Sequence, residues 1–245
     1  MAAVFPATFV PRSGTAIGSE TTNNDMKIAI LGTGMVGNAL GTKLVQKGHE
    51  VTMGSRTANN EAAQKWVSSS GENAHSGTFR DAAEFGEIVI SCTGGMHSMA
   101  ALQSVGAEPL RNKILIDVSN PLQQTSNGSM ILGFCNTDSL GEQIQRAFPQ
   151  TRIVKALNTV NCDIMIEPSR VPADHKLFIC GNDAKAKKEL AGYLNEWFGW
   201  KIDNIIDLGD ITAARGTEMM MSLWMRLFQG VIGHPHFNYH IVLGH

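Results

Sequence analysis

Between residues 27 and 53 the chain runs from a short apolar stretch, KIAIL, directly into Gly32-x-Gly34-x-x-Gly37, on into an amphipathic segment, and out into a second apolar stretch, EVTM. No other segment restricts the fold so narrowly. The first glycine permits a tight turn, the second leaves the backbone open to close approach, and the third lets a helix pack tightly on what precedes it. After Gly37, Leu40 and Leu44 continue the four-residue spacing begun at Val36, and Gly48 stands where a helix C-cap belongs. The predicted β-turn-α-β unit of about 30 residues is the setting in which such a loop rests a pyrophosphate on a helix N-terminus.

The end of the second stretch separates two kinds of dinucleotide. A site for NAD places Asp or Glu about 20 residues beyond the glycines, to hold the ribose 2′-hydroxyl. Here the chain reads Met53-Gly54-Ser55-Arg56. No carboxylate is present to repel a 2′-phosphate, Arg56 offers a planar fork of donors to one, and Ser55 and Thr57 add hydroxyls. NADP(H) is therefore the expected cofactor.

Strand-like and helical segments then alternate as in a parallel sheet. Strands are expected at residues 74–78, 87–92 (EIVISC), 113–118 (KILIDV), 152–157, 176–180 and 205–208, and helices at 62–67, 183–197 and 217–229, with a helical turn at 81–85. Ser139 and Glu142 resemble a capping box for a helix ending before Pro149. The expected fold class is α/β, a Rossmann-type doubly wound, mostly parallel sheet with a small C-terminal helical lobe. Residues 26–156 are expected to form the NADP-binding domain, and 157–245 the lobe that completes the cleft and offers a dimer interface.

Ligands bind such sheets beyond the carboxyl ends of the strands. Four loops then gain functional weight: Thr93 to His97, with two glycines; Ser119-Asn120-Pro121-Leu122, where Asn120 suits a carboxamide; Asn158-Thr159-Val160-Asn161; and the segment from residue 207 to 219.

Composition excludes several functions. The formal net charge is -2, so electrostatics give no reason to expect nucleic acid or an anionic membrane as partner. No run approaches the roughly 18 apolar residues needed to cross a bilayer. The four cysteines are widely spaced with no CxxC pair, which suits buried thiols in a reducing, cytoplasmic compartment. His234, His236 and His240 lie around Pro235 without an accompanying carboxylate or cysteine pair, so no metal is expected there. Residues 1–25, with Pro6 and Pro11 and no periodicity, read as a flexible extension, a transit segment or the product of an upstream start. The apolar segment from residue 217 to 229 is expected to cover a core or a dimer interface, or else to offer Met219, Met220 and Trp224 to an aromatic ring.

The succession GTGMVG, HEVTMGSR, DVSNPL, VKALNTV and DLGDITAARGTEM resembles the NADP-dependent oxidoreductases that use coenzyme F420, from about residue 26 onward. It is similar, more distantly, to the reductase domain of the STEAP metalloreductases. The resemblance implies that Thr33, Gly34, Met35 and Val36, between Gly32 and Gly37, bind pyrophosphate, and that Ser55 and Arg56 hold the 2′-phosphate. It implies further that Thr93, Gly94 and Asn120, followed by Pro121, line the nicotinamide half, with Asn158 and Thr159 at the junction with a second redox partner. Many relatives carry a Pro-Trp pair after the fourth strand, where this chain has Gly94-Gly95-Met96-His97.

The activity implied is direct hydride transfer between nicotinamide and a small-molecule ring, the deazaflavin F420 or a flavin, in an enzyme that works mainly by positioning. His97 is the candidate to polarise or protonate a ring, set against a plainer place as a helix N-terminal residue near the pyrophosphate. Two other readings remain open from sequence. One is an NADP(H)-binding redox sensor without catalysis. The other is a small-substrate NADPH dehydrogenase, for which the segment after Asp210 is short.

Overall fold

The computed structural model describes residues 25–244. The extension read over residues 1–25 lies, but for Asp25, outside the described residues. In chain order the elements are β1 (Lys27–Leu31), α1 (Met35–Gln46), β2 (Glu50–Ser55), α2 (Glu61–Ser70), β3 (Ala74–Thr78), α3 (Phe79–Phe85), β4 (Ile88–Ser91), α4 (Gly95–Val105) and β5 (Ile114–Asp117). A hairpin of β6 (Leu122–Gln124) and β7 (Met130–Leu132) follows. Then come α5 (Leu140–Ala147), β8 (Arg152–Ala156), α6 (Cys162–Ile166), β9 (Leu177–Cys180), α7 (Ala184–Phe198), β10 (Ile205–Asp207) and α8 (Ala214–Leu227).

Eight strands form one sheet in the order β10-β9-β8-β5-β4-β1-β2-β3. From β8 to β3 all neighbours are parallel; β9 and β10 run parallel to each other and antiparallel to β8. The sheet thus continues beyond residue 156, into the segment expected to form a lobe. Strand order reverses between β1 and β4, because β1 continues to β2 on one side and the chain later returns to place β4 on the other. That reversal opens a crevice at the carboxyl ends of the strands.

The near-continuous apolar runs suit strands covered on both faces. Ile28 and Ile30 of β1 belong to one core with Leu40, Leu44, Trp66, Leu190 and Trp197. Ala29 and Leu31, one residue out of phase, belong to the other with Phe79, Leu102, Leu110 and Ile144. This is the period-two alternation of a strand sorted onto two faces by helices on both. Full burial of Leu40 and Leu44 contributes about 2 kcal/mol each, which presses α1 onto the sheet.

The loop from Thr93 is short, since α4 begins at Gly95 and buries Ser98, Ala101, Leu102 and Val105, which puts His97 in a first helical turn, as its plainer reading had it. The β6–β7 hairpin was not expected, and neither was the single-turn α6. Among the described residues, no helix is long and apolar enough to cross a membrane.

Candidate functional site

At the β1–β4 crevice the glycine turn closes as its spacing requires. Gly32 has φ +124°, and a Cβ there would lie 2.8 Å from the Cys92 carbonyl oxygen; its N–H donates to Gly54 O at 2.9 Å, tying the ends of β1 and β2. A Cβ on Gly37 would lie 2.2 Å from Gly32 O, so only glycine lets α1 start this close to the turn. Gly34 differs. A Cβ there would meet nothing within 4 Å, so the space above the helix start is open.

Helix N-termini leave backbone N–H groups unpaired, and most helices in this chain cover them with a side chain. Asn60, Thr78, Ser139, Asn161 and Asp183 cap α2, α3, α5, α6 and α7. The starts of α1 and α4 have no side-chain cap and no acid in the first turn, and each follows a glycine, Gly34 or Gly94, that borders the same cavity of about 540 Å³. Two bare positive helix ends over one open space form a seat for an anion.

The cavity brings together Gly32, Thr33, Gly34, Ser55, Arg56, Thr93, Gly94 and His97. Arg56 is exposed at its rim and makes no ion pair among the described residues. Ser55 is buried beneath, its hydroxyl donating to Thr57 O at 2.6 Å, which shapes the turn carrying Arg56. Thr93 donates to Ser98 Oγ at 2.9 Å, anchoring the start of α4. His97 is exposed in the first turn of that helix, close to Gly94. Met35 is exposed at the first position of α1, while Val36 packs against the core and Gly37 is buried; these three do not border the cavity.

Sequence reading missed part of the wall. Asn60, Phe79, Cys92, Ala100, Ala101 and Ser104 also line the cavity. Ala100, Ala101 and Ser104 project from α4 and would have followed from recognising that helix. The Cys92 thiol is pushed far up by burial and by the charge of Asp117, so it stays protonated.

Asn120, Pro121, Asn158 and Thr159 do not border this cavity and form a second group at the ends of β5 and β8. Asn120 Nδ2 donates to Asn158 O at 2.8 Å, and Asn158 Nδ2 donates to Asn120 Oδ1 at 2.9 Å. A Cβ on Gly95 would fall 1.6 Å from Asn120 O, so the start of α4 is jammed against this loop and joins the two groups. Leu157, just before Asn158, holds φ +63° without being glycine, and Ser91 Oγ, Asn158 Oδ1 and Thr159 Oγ1 are buried without protein partners. Strain and orphaned polar atoms gather where a structure is shaped for something other than its own stability.

Beneath that group lies a cluster the sequence reading did not find. Lys155 and Asp117 are fully buried and Glu218 nearly so, with Lys155 Nζ 2.9 Å from Asp117 Oδ2 and 2.7 Å from Glu218 Oε1. Burial opposes the charge on Lys155, but the two carboxylates outweigh it and raise its pKa. The signal was present: a charge stands inside each of the apolar runs KILIDV and RIVKAL.

The family model described as NADP oxidoreductase, coenzyme F420-dependent, matches residues 27–121. A solved structure from Arthrobacter sp. FB24, described as a candidate F420-dependent NADP reductase, is 44% identical, with a TM-score of 0.82 over 89% of this chain and 100% of that one. The chain belongs to the F420-dependent NADP oxidoreductase family. Within it, the F420-dependent NADP reductase of Methanocaldococcus jannaschii is 28% identical over 82% of this chain and 92% of its own length. The rat metalloreductase STEAP3 is 26% identical over 82% of this chain, which spans 37% of that protein. As a member of the F420-dependent family the protein is an NADP-dependent oxidoreductase. The match from residue 27 to 121 takes in both bare helix ends and stops at the Asn120-Pro121 loop.

Proposed function

We propose that the protein transfers a hydride directly between the nicotinamide of NADP(H) and the ring of a deazaflavin, F420, or of a flavin. The observation that carries this is the pair of uncapped helix starts, α1 and α4, over one open cavity with Arg56 at its rim. The residues fit the dinucleotide: the open space at Gly34 accepts a pyrophosphate, and Arg56 suits a 2′-phosphate, on a turn shaped by the Ser55 hydroxyl bonding Thr57 O. When bound, the dinucleotide supplies two electrons and one proton as a hydride, and the acceptor ring takes a second proton from solvent.

The chain's own part is positioning. The backbone N–H groups from Thr33 into the first turn of α1 would hold the diphosphate, though the Met35 and Val36 side chains lie off the cavity wall, and the start of α4 and His97 line the same cavity. Asn120, fixed by Asn158 and by Gly95, presents its loop to the carboxamide end, and Asn158 and Thr159 adjoin the second ring. No general acid is assigned; His97 serves the diphosphate. We further propose a cytoplasmic homodimer. Met219 and Leu223 of α8 and Met130 and Ile131 of the hairpin are exposed, and α8 lies beside β7.

Anaerobic stopped-flow with NADPH and a panel of F420, FMN, FAD and riboflavin tests the activity. One of these is expected to be reduced in step with NADPH oxidation. Tight NADPH binding with none of the four reduced would favour a sensor instead.

A further inference from the structure

The buried cluster of Asp117, Lys155 and Glu218 is not accounted for by the cleft geometry alone. Lys155 Nζ donates to Asp117 Oδ2 at 2.9 Å and to Ser119 O at 2.6 Å, and forms an ion pair with Glu218 Oε1 at 2.7 Å. Asp117 Oδ1 accepts from Ser119 N at 3.1 Å and Ser119 Oγ at 2.5 Å. Glu218 accepts from Leu140 N at 2.9 Å and Gly141 N at 3.0 Å, supplying donors' partners at the start of α5. All four carboxylate oxygens face donors, the arrangement that suits carboxylates, although burial pushes the Glu218 carboxyl up against the lowering effect of Lys155 and of the Leu140 N–H. One cation and two anions leave a net charge of about -1 in a dry interior.

Lys155 and Asp117 alone would be neutral. Glu218, brought in by α8, makes the cluster negative. Part of the Glu218 charge is met by the start of α5, whose Leu140 and Gly141 N–H groups it accepts, and the remainder is left to act on its surroundings. The cluster's place indicates its use. It grips Ser119, the residue before Asn120, and Asp117 pairs in register with Ser91 of β4, the residue before the cavity-lining Cys92.

We propose that Asp117, Lys155 and Glu218 form a fixed counter-charge behind the nicotinamide end of the cleft, which favours the oxidised, positively charged ring over the reduced, neutral one. This rests on the proposed NADP(H) site. Every member is saturated and immobile, so the field costs no reorganisation when the ring gains charge. Low dielectric around it lets the excess charge act beyond contact distance. Glu218 is then a positioning and electrostatic residue that need not touch the cofactor.

The test uses the full chain and two ligands, NADP+ and NADPH, titrated calorimetrically against wild type, Glu218→Gln and Glu218→Asp. The readout is the ratio of the two dissociation constants, NADP+ over NADPH. Removing the excess charge in Glu218→Gln should raise the ratio about threefold or more. Glu218→Asp, which keeps the charge on a shorter arm, should lower the melting temperature yet keep the wild-type ratio. If Glu218→Gln does not fold, Asp117→Asn removes the same charge from the other side of Lys155 and is read identically. A ratio unchanged within about twofold in the charge-removing variant overturns the proposal, as does an equal shift in Glu218→Asp. Wild-type protein that binds neither dinucleotide would instead refute the site on which the proposal rests.

Discussion

Replacing Gly34 with Ala separates the cost of folding from the cost of binding at one atom. The residue has φ -78° and ψ -175°, which alanine adopts freely, and its new Cβ would meet nothing within 4 Å. Alanine is a poorer N-cap than glycine by about 0.5 kcal/mol, while stiffening the unfolded chain returns about 0.4–1 kcal/mol, so stability should change by less than about 0.5 kcal/mol. The same methyl fills the seat above the helix start. Holding a phosphate away from the turn forfeits about two charge-assisted hydrogen bonds at roughly 1.5 kcal/mol each, or about 100-fold in affinity. Gly37→Ala is the contrast, because its Cβ would lie 2.2 Å from Gly32 O and 3.2 Å from Ile30 Cγ2. Backbone cannot yield cheaply there, and about 2–3 kcal/mol of stability should be lost together with binding. Thermal melts and NADPH titration of both variants decide the matter. A folded Gly34→Ala protein that binds NADPH within about threefold of wild type would show that the pyrophosphate does not rest on this turn.

Arg56→Glu should weaken NADPH by about 100-fold and leave NADH nearly unchanged, measured by titration with each; an unaltered preference would remove Arg56 from the 2′-phosphate. Lys155→Met leaves two buried carboxylates without their cation and should cost about 3–5 kcal/mol in urea denaturation, whereas a loss below about 1 kcal/mol would mean the cluster is not dry. Glu142 is held below its ordinary pKa of 4.5 by hydrogen bonds from Arg215, and further by Ser139, against the opposing effect of burial. Its folded value being lowered, the contribution is complete above about pH 4.5 and fades as pH falls through the folded value. The stability gap between wild type and Glu142→Gln should therefore be level at neutral pH and shrink in acid; a gap constant to about pH 3 would contradict the assignment.

The parts of the site legible in sequence are those where neighbours in the chain do one job together. Gly32, Gly34 and Gly37 belong to a single turn, and Ser55 ends, and Arg56 follows, a strand whose apolar run marks its end. A helix start at His97 was legible, but its extent was not, because Gly94 and Gly95 look like loop, although Gly95 is required only by the close approach of Asn120 O. The β6–β7 hairpin carries exposed Met130 and Ile131 and buries too little to leave a period. The reversal of β9 against β8 leaves no trace, because a strand covered on both faces reads alike in either direction. Glu142 was expected to close a capping box with Ser139. It bonds the Ser139 hydroxyl and turns to Arg215, while Glu218 from α8 takes the Leu140 and Gly141 N–H groups. Such long-range partners have no signature in local spacing.

The central claim is that hydride passes from ring to ring without an intermediate carrier. Under anaerobic conditions the enzyme can be given NADPH deuterated at the transferring C4 position together with F420, and the reduced deazaflavin analysed by mass spectrometry. Deuterium retained on C5 of the deazaflavin, at one atom per turnover, is the expected result. Reduced deazaflavin lacking deuterium, or no reduction of F420 or of a flavin although NADPH is bound, would contradict it.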